Sequence, residues 1–191
     1  MSAPPAVESR RRIGFSVFAE CLLTGVWIAL ASLPLVTAPA AFAAGSRHLH
    51  RHLGHHPASH REFTADLRRA ARHGWLAGLA GLAVCAAVWT DLRVARSGLP
   101  GGRLAAAVAV LALLGTAVTV LRAAAVWEPG AHWRTLLPAA ARRTVRAPAG
   151  SLLLVCGLAV VLLCAGFLAP LAVPALGILA AAAVAVEERE R

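Results

Sequence analysis

Apolar positions in this chain fall in long runs. Stretches of mostly Ala, Leu and Val cover about 15–33, 36–46, 74–90, 104–126, 150–169 and 171–186, with arginine-rich segments between them. The run LAAAVAVLALLGTAVTVLRAAAV is interrupted only by Arg122. It is long enough to cross a bilayer, since about 20 helical residues cover about 30 Å of hydrocarbon. The run GWLAGLAGLAVCAAVWT is shorter, and its glycines at 74, 78 and 81 permit close helix packing.

Two regions carry paired prolines. Ser151 to Val186 is far too long for one straight span, and it contains Pro170 and Pro174. Proline removes a backbone donor and clashes with the preceding turn. In lipid the freed groups need partners, so such a break belongs at the membrane edge. The pattern predicts two helices joined by a tight turn. The stretch SLPLVTAPAAFAAG has the same form around Pro34 and Pro39. It predicts a break at Leu33-Pro34, with Thr37 capping the returning limb through its hydroxyl.

The expected fold is therefore all-α: a polytopic transmembrane helical bundle of five or six membrane segments, with proline-broken hairpins at both ends. The whole chain, 1–191, reads as one integral membrane domain. Composition agrees. The chain is 59% hydrophobic with five Phe, five Trp and no Tyr, so long aliphatic runs supply the apolar content. The net charge of +10 comes from arginines that flank spans, which argues for a membrane surface and not for nucleic acid. Cys21, Cys85, Cys156 and Cys164 all lie inside apolar runs and form no CxxC pair, so redox and zinc chemistry are not expected of them.

Arginine placement sets the expected topology. With hairpins at both proline breaks and the N-terminus inside, the regions 1–14, 47–73, 127–149 and 187–191 are cytoplasmic and hold most arginines. The other side holds Arg93, Arg96 and Arg103. A single crossing through 15–46 would instead place the richest basic loop outside. The limb 36–46 is short, and either a full span or a re-entrant limb satisfies the charge count.

Two basic segments share a pattern. Phe63, Leu67, Ala71 and Arg72 recur in spacing as Trp133, Leu137, Ala141 and Arg142, each set preceding an apolar run. The i, i+4, i+8 spacing puts the apolar members on one helical face. Two cytoplasmic interfacial helices are expected, each an elbow feeding a span. The recurrence suggests a parallel repeat over about 36–90 and 104–169.

These features together resemble the YesL-like family of bacterial membrane proteins, whose domain is of unknown function. The resemblance covers about 15–90 and rests on Leu33-Pro34-Leu35-Val36-Thr37 followed by the phenylalanine-led basic helix from Phe63 to Arg72. The motif residues are Leu33, Pro34, Val36, Thr37, Pro39 and Phe63. The chain departs from the family pattern at Ala38-Pro39-Ala40, where Gly-Pro-Ala is usual, and at Glu20, where a neutral polar residue is usual. The resemblance implies a multi-pass protein of the bacterial cytoplasmic membrane, and the arginine placement predicts that both termini are cytoplasmic. It implies an accessory role in carbohydrate uptake, with a sugar-uptake transporter complex as partner. The other function considered is a small-molecule secondary transporter.

Few residues suggest chemistry. Glu20 lies inside the first apolar run, where an ionisable side chain is either functional or part of an interface pair. Arg12 and Arg122 are its candidate partners, and Glu20 with Arg122 is the expected intramembrane pair. His48, His52, His56 and His60 stand at helical i, i+4 spacing, which suits a metal site. Gly54 and Pro57 disfavour a continuous helix there, so a solvated loop near anionic headgroups is the competing reading. No nucleophile triad, phosphate loop or HExxH occurs, so neither an enzyme nor a cofactor is expected.

The opening run also has signal-peptide features: Arg10-Arg11-Arg12, an apolar core, and Ala41-Phe42-Ala43. Glu20 and the length of the core oppose cleavage. Mass spectrometry of the mature protein is expected to find a start near Met1 or Ser2. A start at Ala44 would make the opening run a signal and remove the first hairpin.

Overall fold

The computed structural model describes residues 6–53, 60–96 and 101–189; for residues 6–18, 53 and 169 only the backbone is described. Seven α-helices follow in order: α1 Ala6–Ala31, α2 Ala38–Leu53, α3 His60–Ala95, α4 Gly102–Ala125, α5 Trp133–Arg146, α6 Pro148–Phe167 and α7 Ala169–Arg189. A single 3-10 turn, Leu35–Thr37, joins α1 to α2. No strand occurs among the described residues.

Helix α2 is the centre. It packs against α1, α3, α4 and α7. Its residues Ala40, Ala41, Ala43 and Ala44 are fully buried. Alanine keeps the helix thin while leaving every interior N–H and C=O in its own ladder. Around it, α1 and α7 run antiparallel in close contact. A Cβ on Gly25 would lie 2.2 Å from the Val173 carbonyl oxygen, and one on Gly177 would lie 1.9 Å from that of Cys21. Of the glycines singled out in α3, Gly78 sits beneath the Val36 carbonyl and Gly74 beneath the Trp133 indole, whereas Gly81 faces open space.

The first hairpin forms as expected, with a different use of Thr37. Pro34 has no N–H to offer, and the Leu30 carbonyl takes the Leu33 N–H at 3.4 Å. The Thr37 hydroxyl lies 2.5 Å from the Ala31 carbonyl oxygen and 2.7 Å from that of Pro34. It closes the end of α1 and does not cap α2. The returning helix needs no such cap because Pro39, in its first turn, removes one of the unpaired donors.

The second hairpin turns at Leu168, whose backbone is extended at φ −147° and ψ 80°. Pro170 falls in the first turn of α7, where a missing N–H costs nothing. Pro174 is inside α7 and takes no part in the break, contrary to the paired-proline expectation. The two elbows also differ from expectation. Phe63 to Arg72 runs without a break into the span, so α3 is a single helix of 36 residues. Nothing stops it, since Gly74 is tolerated in a helix interior. The second elbow is separate: Ala147, ahead of Pro148, leaves helical geometry at φ −119° and ψ 76°. Of the two expected elbow helices, only α5 is therefore distinct; the other is the start of α3. The regions 36–90 and 104–169 correspond to α2–α3 and to α4–α5–α6.

Among the described residues four helices, within α3, α4, α6 and α7, are long and apolar enough to cross a membrane. The described part of α1, Ala19–Ala31, is apolar but shorter. Large side chains on the outside of the bundle are apolar: Leu104, Leu111, Leu152, Leu162 and Leu163 are all exposed. Water would not tolerate such a surface, and lipid favours it. The chain is a multi-pass helical membrane protein. The Pro34 turn, which packs over Gly78 midway along α3, lies away from the end where the last turns of α2, the first turns of α3, all of α5 and the end of α7 gather.

The glycine contacts yield a test. Gly177→Val is expected to separate α1 from α7 and to reduce folded protein in membranes severely, read by size-exclusion chromatography after detergent extraction. Gly81→Ala is expected to leave the yield unchanged. Equal yields from the two variants would mean that the α1–α7 contact is dispensable.

Candidate functional site

The ionisable side chains gather at the basic end. Asp66, on the first turns of α3, is almost fully buried. Its Oδ2 accepts from Arg51 Nη2 at 2.6 Å, and Arg47 Nε stands 3.3 Å from the same oxygen. Arg69 Nη1 donates to its Oδ1 at 3.3 Å. Arg51 also reaches Glu62 at 3.3 Å. Arg47 and Arg51 are one turn apart on α2, so a single carboxylate ties the last turns of α2 to the start of α3. The length of α3 makes this geometry available: 36 residues rise about 54 Å, well beyond the hydrocarbon, so its first turns project from the span.

A second carboxylate does the same for the C-terminal half. Glu187, near the end of α7, is 3% exposed, and Arg122, near the end of α4, is fully buried. Arg122 Nη1 donates to Glu187 Oε1 at 3.0 Å, and Arg143 Nη1 donates to Oε2 at 2.5 Å. Arg122 Nη2 also reaches the Ala147 carbonyl at 3.3 Å and Ser151 Oγ at 3.4 Å. One guanidinium thus joins α4, α7 and the α5–α6 junction. Buried ions of this kind persist only when their donors and acceptors are paired.

Glu20 takes a partner other than Arg122; the side chain of Arg12, its other candidate, lies outside the described residues. His48 Nε2 lies 2.7 Å from Glu20 Oε1, linking α1 to α2. Glu20 and Arg122 are not brought together as a pair; α2 stands beside α1 and supplies the histidine, while α7 supplies Glu187 to Arg122. The His48 ring meets the edge of Phe63 with centroids 6.4 Å apart, and Phe63 also contacts Trp27 at 5.9 Å. The motif phenylalanine is a buried anchor between α1, α2 and α3. Leu33 and Leu35 are exposed at the opposite end.

The histidine series is divided. His48 and His52 are on α2, His60 opens α3, and His56 lies outside the described residues. His50, off that series, pairs with Glu188 at 3.2 Å. Among the described residues no group of three His, Cys, Asp or Glu side chains is placed to hold a metal ion. Sequence reasoning missed Asp66 and Glu187 as the hubs. Their signal was present: each is an acid beside a span in a region otherwise dominated by arginine.

Towards the proline end the helices surround an apolar cavity of about 350 Å³. Ile28, Leu35, Phe42, Leu121, Leu158 and Leu179 dominate its wall. Its polar members are Ser32, Thr116 and Cys85, and the Thr116 hydroxyl donates to the Ala112 carbonyl at 2.8 Å. Among the described residues no carboxylate, histidine or arginine lines it.

No protein-family model, curated protein or solved structure matches this chain.

Removing one partner of a buried pair exposes the other to an uncompensated desolvation cost. Glu187→Ala is expected to lower the unfolding free energy in mixed micelles by about 3 kcal/mol. Arg143→Gln, at a half-exposed position, is expected to cost less than about 1 kcal/mol. Similar small losses for both would show that water reaches Glu187 in the folded protein.

Proposed function

We propose that this chain is an accessory component of the bacterial cytoplasmic membrane, acting through interaction with a sugar-uptake transporter complex. In this reading α1, α2, α3, α4, α6 and α7 are six membrane segments, α5 lies at the cytoplasmic interface, and both termini are cytoplasmic. The link to carbohydrate uptake rests on the YesL-like resemblance of residues 15–90. The observation that supports an accessory role over a carrier is the separation of charge from cavity. The buried carboxylates Asp66 and Glu187 are closed against arginines at one end, while the cavity towards the other end has no charged wall. A proton- or sodium-coupled carrier needs ionisable groups along its path. The small-molecule secondary transporter therefore stands second, supported by the cavity alone. The arginine-flanked ends need no nucleic acid to explain them.

Two measurements test this reading. Proteoliposomes containing the purified chain alone are expected to show no concentrative uptake of labelled sugars under a proton or sodium gradient. Cross-linking in the source membranes is expected to join the chain to a sugar-uptake permease. Gradient-driven uptake by the chain alone would establish the carrier instead. For topology, single cysteines at Ser97 and Ser59 in a cysteine-free background are expected to label from outside and to be protected, respectively. The reverse pattern would invert the assignment of both termini.

A further inference from the structure

Two adjoining hollows lie between α3, the 126–132 connection and α5. The first, about 200 Å³, is lined by Arg69, Arg72, His73 and His132 with the indoles of Trp127 and Trp133. The second, about 410 Å³, shares Arg72, His73, His132 and Trp133 and adds Arg134. It then runs along Trp75, Leu76, Ala80 and Leu137. The hollows exist because Trp133 props α5 away from α3. Its indole Nε1 donates to the Ala70 carbonyl at 3.2 Å, and the ring occupies the space that Gly74 leaves open.

The chemistry of the walls is one-sided. Among the described residues no acidic side chain lines either hollow. Arg69 is partly engaged by Asp66. Arg72 and Arg134 are exposed and make no ion pair or side-chain hydrogen bond among the described residues. The rings of His73 and His132 are 5.9 Å apart, each with an N–H to offer. His132 and Trp133 also begin α5, so the positive end of that helix adjoins the same space. These groups suit a phosphate. The continuation suits something else. Leu76, Leu79 and Trp75 are exposed on the first turns of the apolar part of α3, so the second hollow passes from the charged level into the hydrocarbon.

We propose that this paired hollow binds an anionic phospholipid, its phosphate held by Arg72 and Arg134 and an acyl chain lying along Leu76, Ala80 and Leu137. A soluble phosphate or phosphorylated metabolite would use the first hollow and leave the apolar one without a purpose. A headgroup joined to a chain uses both, and basic clefts at the cytoplasmic ends of spans bind such lipids. The proposal is independent of the accessory reading: a carrier would be as able to hold a lipid here.

The test is a titration of the purified full chain in a neutral detergent, with bound lipid read by native mass spectrometry. Phosphatidylglycerol is expected to bind at a discrete stoichiometry, and phosphatidylcholine of the same chain length is not. Arg72→Gln with Arg134→Gln is expected to weaken phosphatidylglycerol binding roughly 30-fold, the loss of two arginine contacts at a membrane surface. The double lysine variant, R72K with R134K, is expected to retain most of the affinity. It carries the test if the glutamine variant does not fold. Arg93→Gln, at the other end of α3, is expected to change nothing. Equal binding of both lipids, or unchanged affinity in the double glutamine variant, would overturn the proposal. Displacement of the lipid by millimolar inorganic phosphate would overturn it too, by making this a soluble-phosphate site.

Discussion

Helix α2 carries almost no side-chain bulk from Ala38 to Gly45, and the bundle depends on that thinness. Only a helix of this cross-section lets α1, α3, α4 and α7 close around it. Phe42 is the single large residue in the stretch, and it fills the wall of the apolar cavity. The same helix changes character at Ser46. From Arg47 onward it is basic, yet its first basic turn is still enclosed. The enclosed part therefore has to find counter-charges on its neighbours. Glu20 on α1 meets His48, and Asp66 on α3 meets Arg47 and Arg51.

This requirement explains why α3 is so long. A helix ending at the membrane surface would have no residue level with Arg51. By extending beyond the span, α3 brings Asp66 beside α2 and Ala70 beneath Trp133. The C-terminal half solves a similar problem with Arg122 and Glu187, but there the elbow α5 is a separate helix because Pro148 interrupts it. The two halves thus close the same end of the bundle, each with one buried carboxylate between arginines. Such pairs contribute little net stability when compared with apolar packing, but they punish any arrangement that leaves one member alone. They serve register, holding helix ends that lipid packing alone would leave free to slide.

The placement of charge also shapes what the molecule offers to others. Most buried ions are consumed in tying helices together, and the cavity towards the proline end is left apolar. Arg72 and Arg134, two arginines with no ion pair among the described residues, line the cleft that Trp133 holds open. The exposed charge beside the cleft is therefore at the basic end, away from the apolar cavity.

The sequence by itself determined the class, an all-α multi-pass bundle, because a run of about 20 apolar residues has few fates outside a membrane. It determined the first hairpin too, since Pro34 removes a hydrogen bond that lipid cannot replace. It did not determine which prolines break a helix. Pro39, Pro170 and Pro174 differ from Pro34 only in their distance from a helix start, and that distance is settled by where the neighbouring helix allows the chain to turn. It also did not determine charge partners. Glu20 is compatible with Arg122 or His48, and only the packing of α2 against α1 selected the histidine between them. Asp66 and Glu187 read as ordinary acids at span ends, because burial is a property of neighbours and not of the residue. Tertiary structure alone decided that each would sit beneath arginines from other helices, where the cost of leaving either charge unpaired is highest.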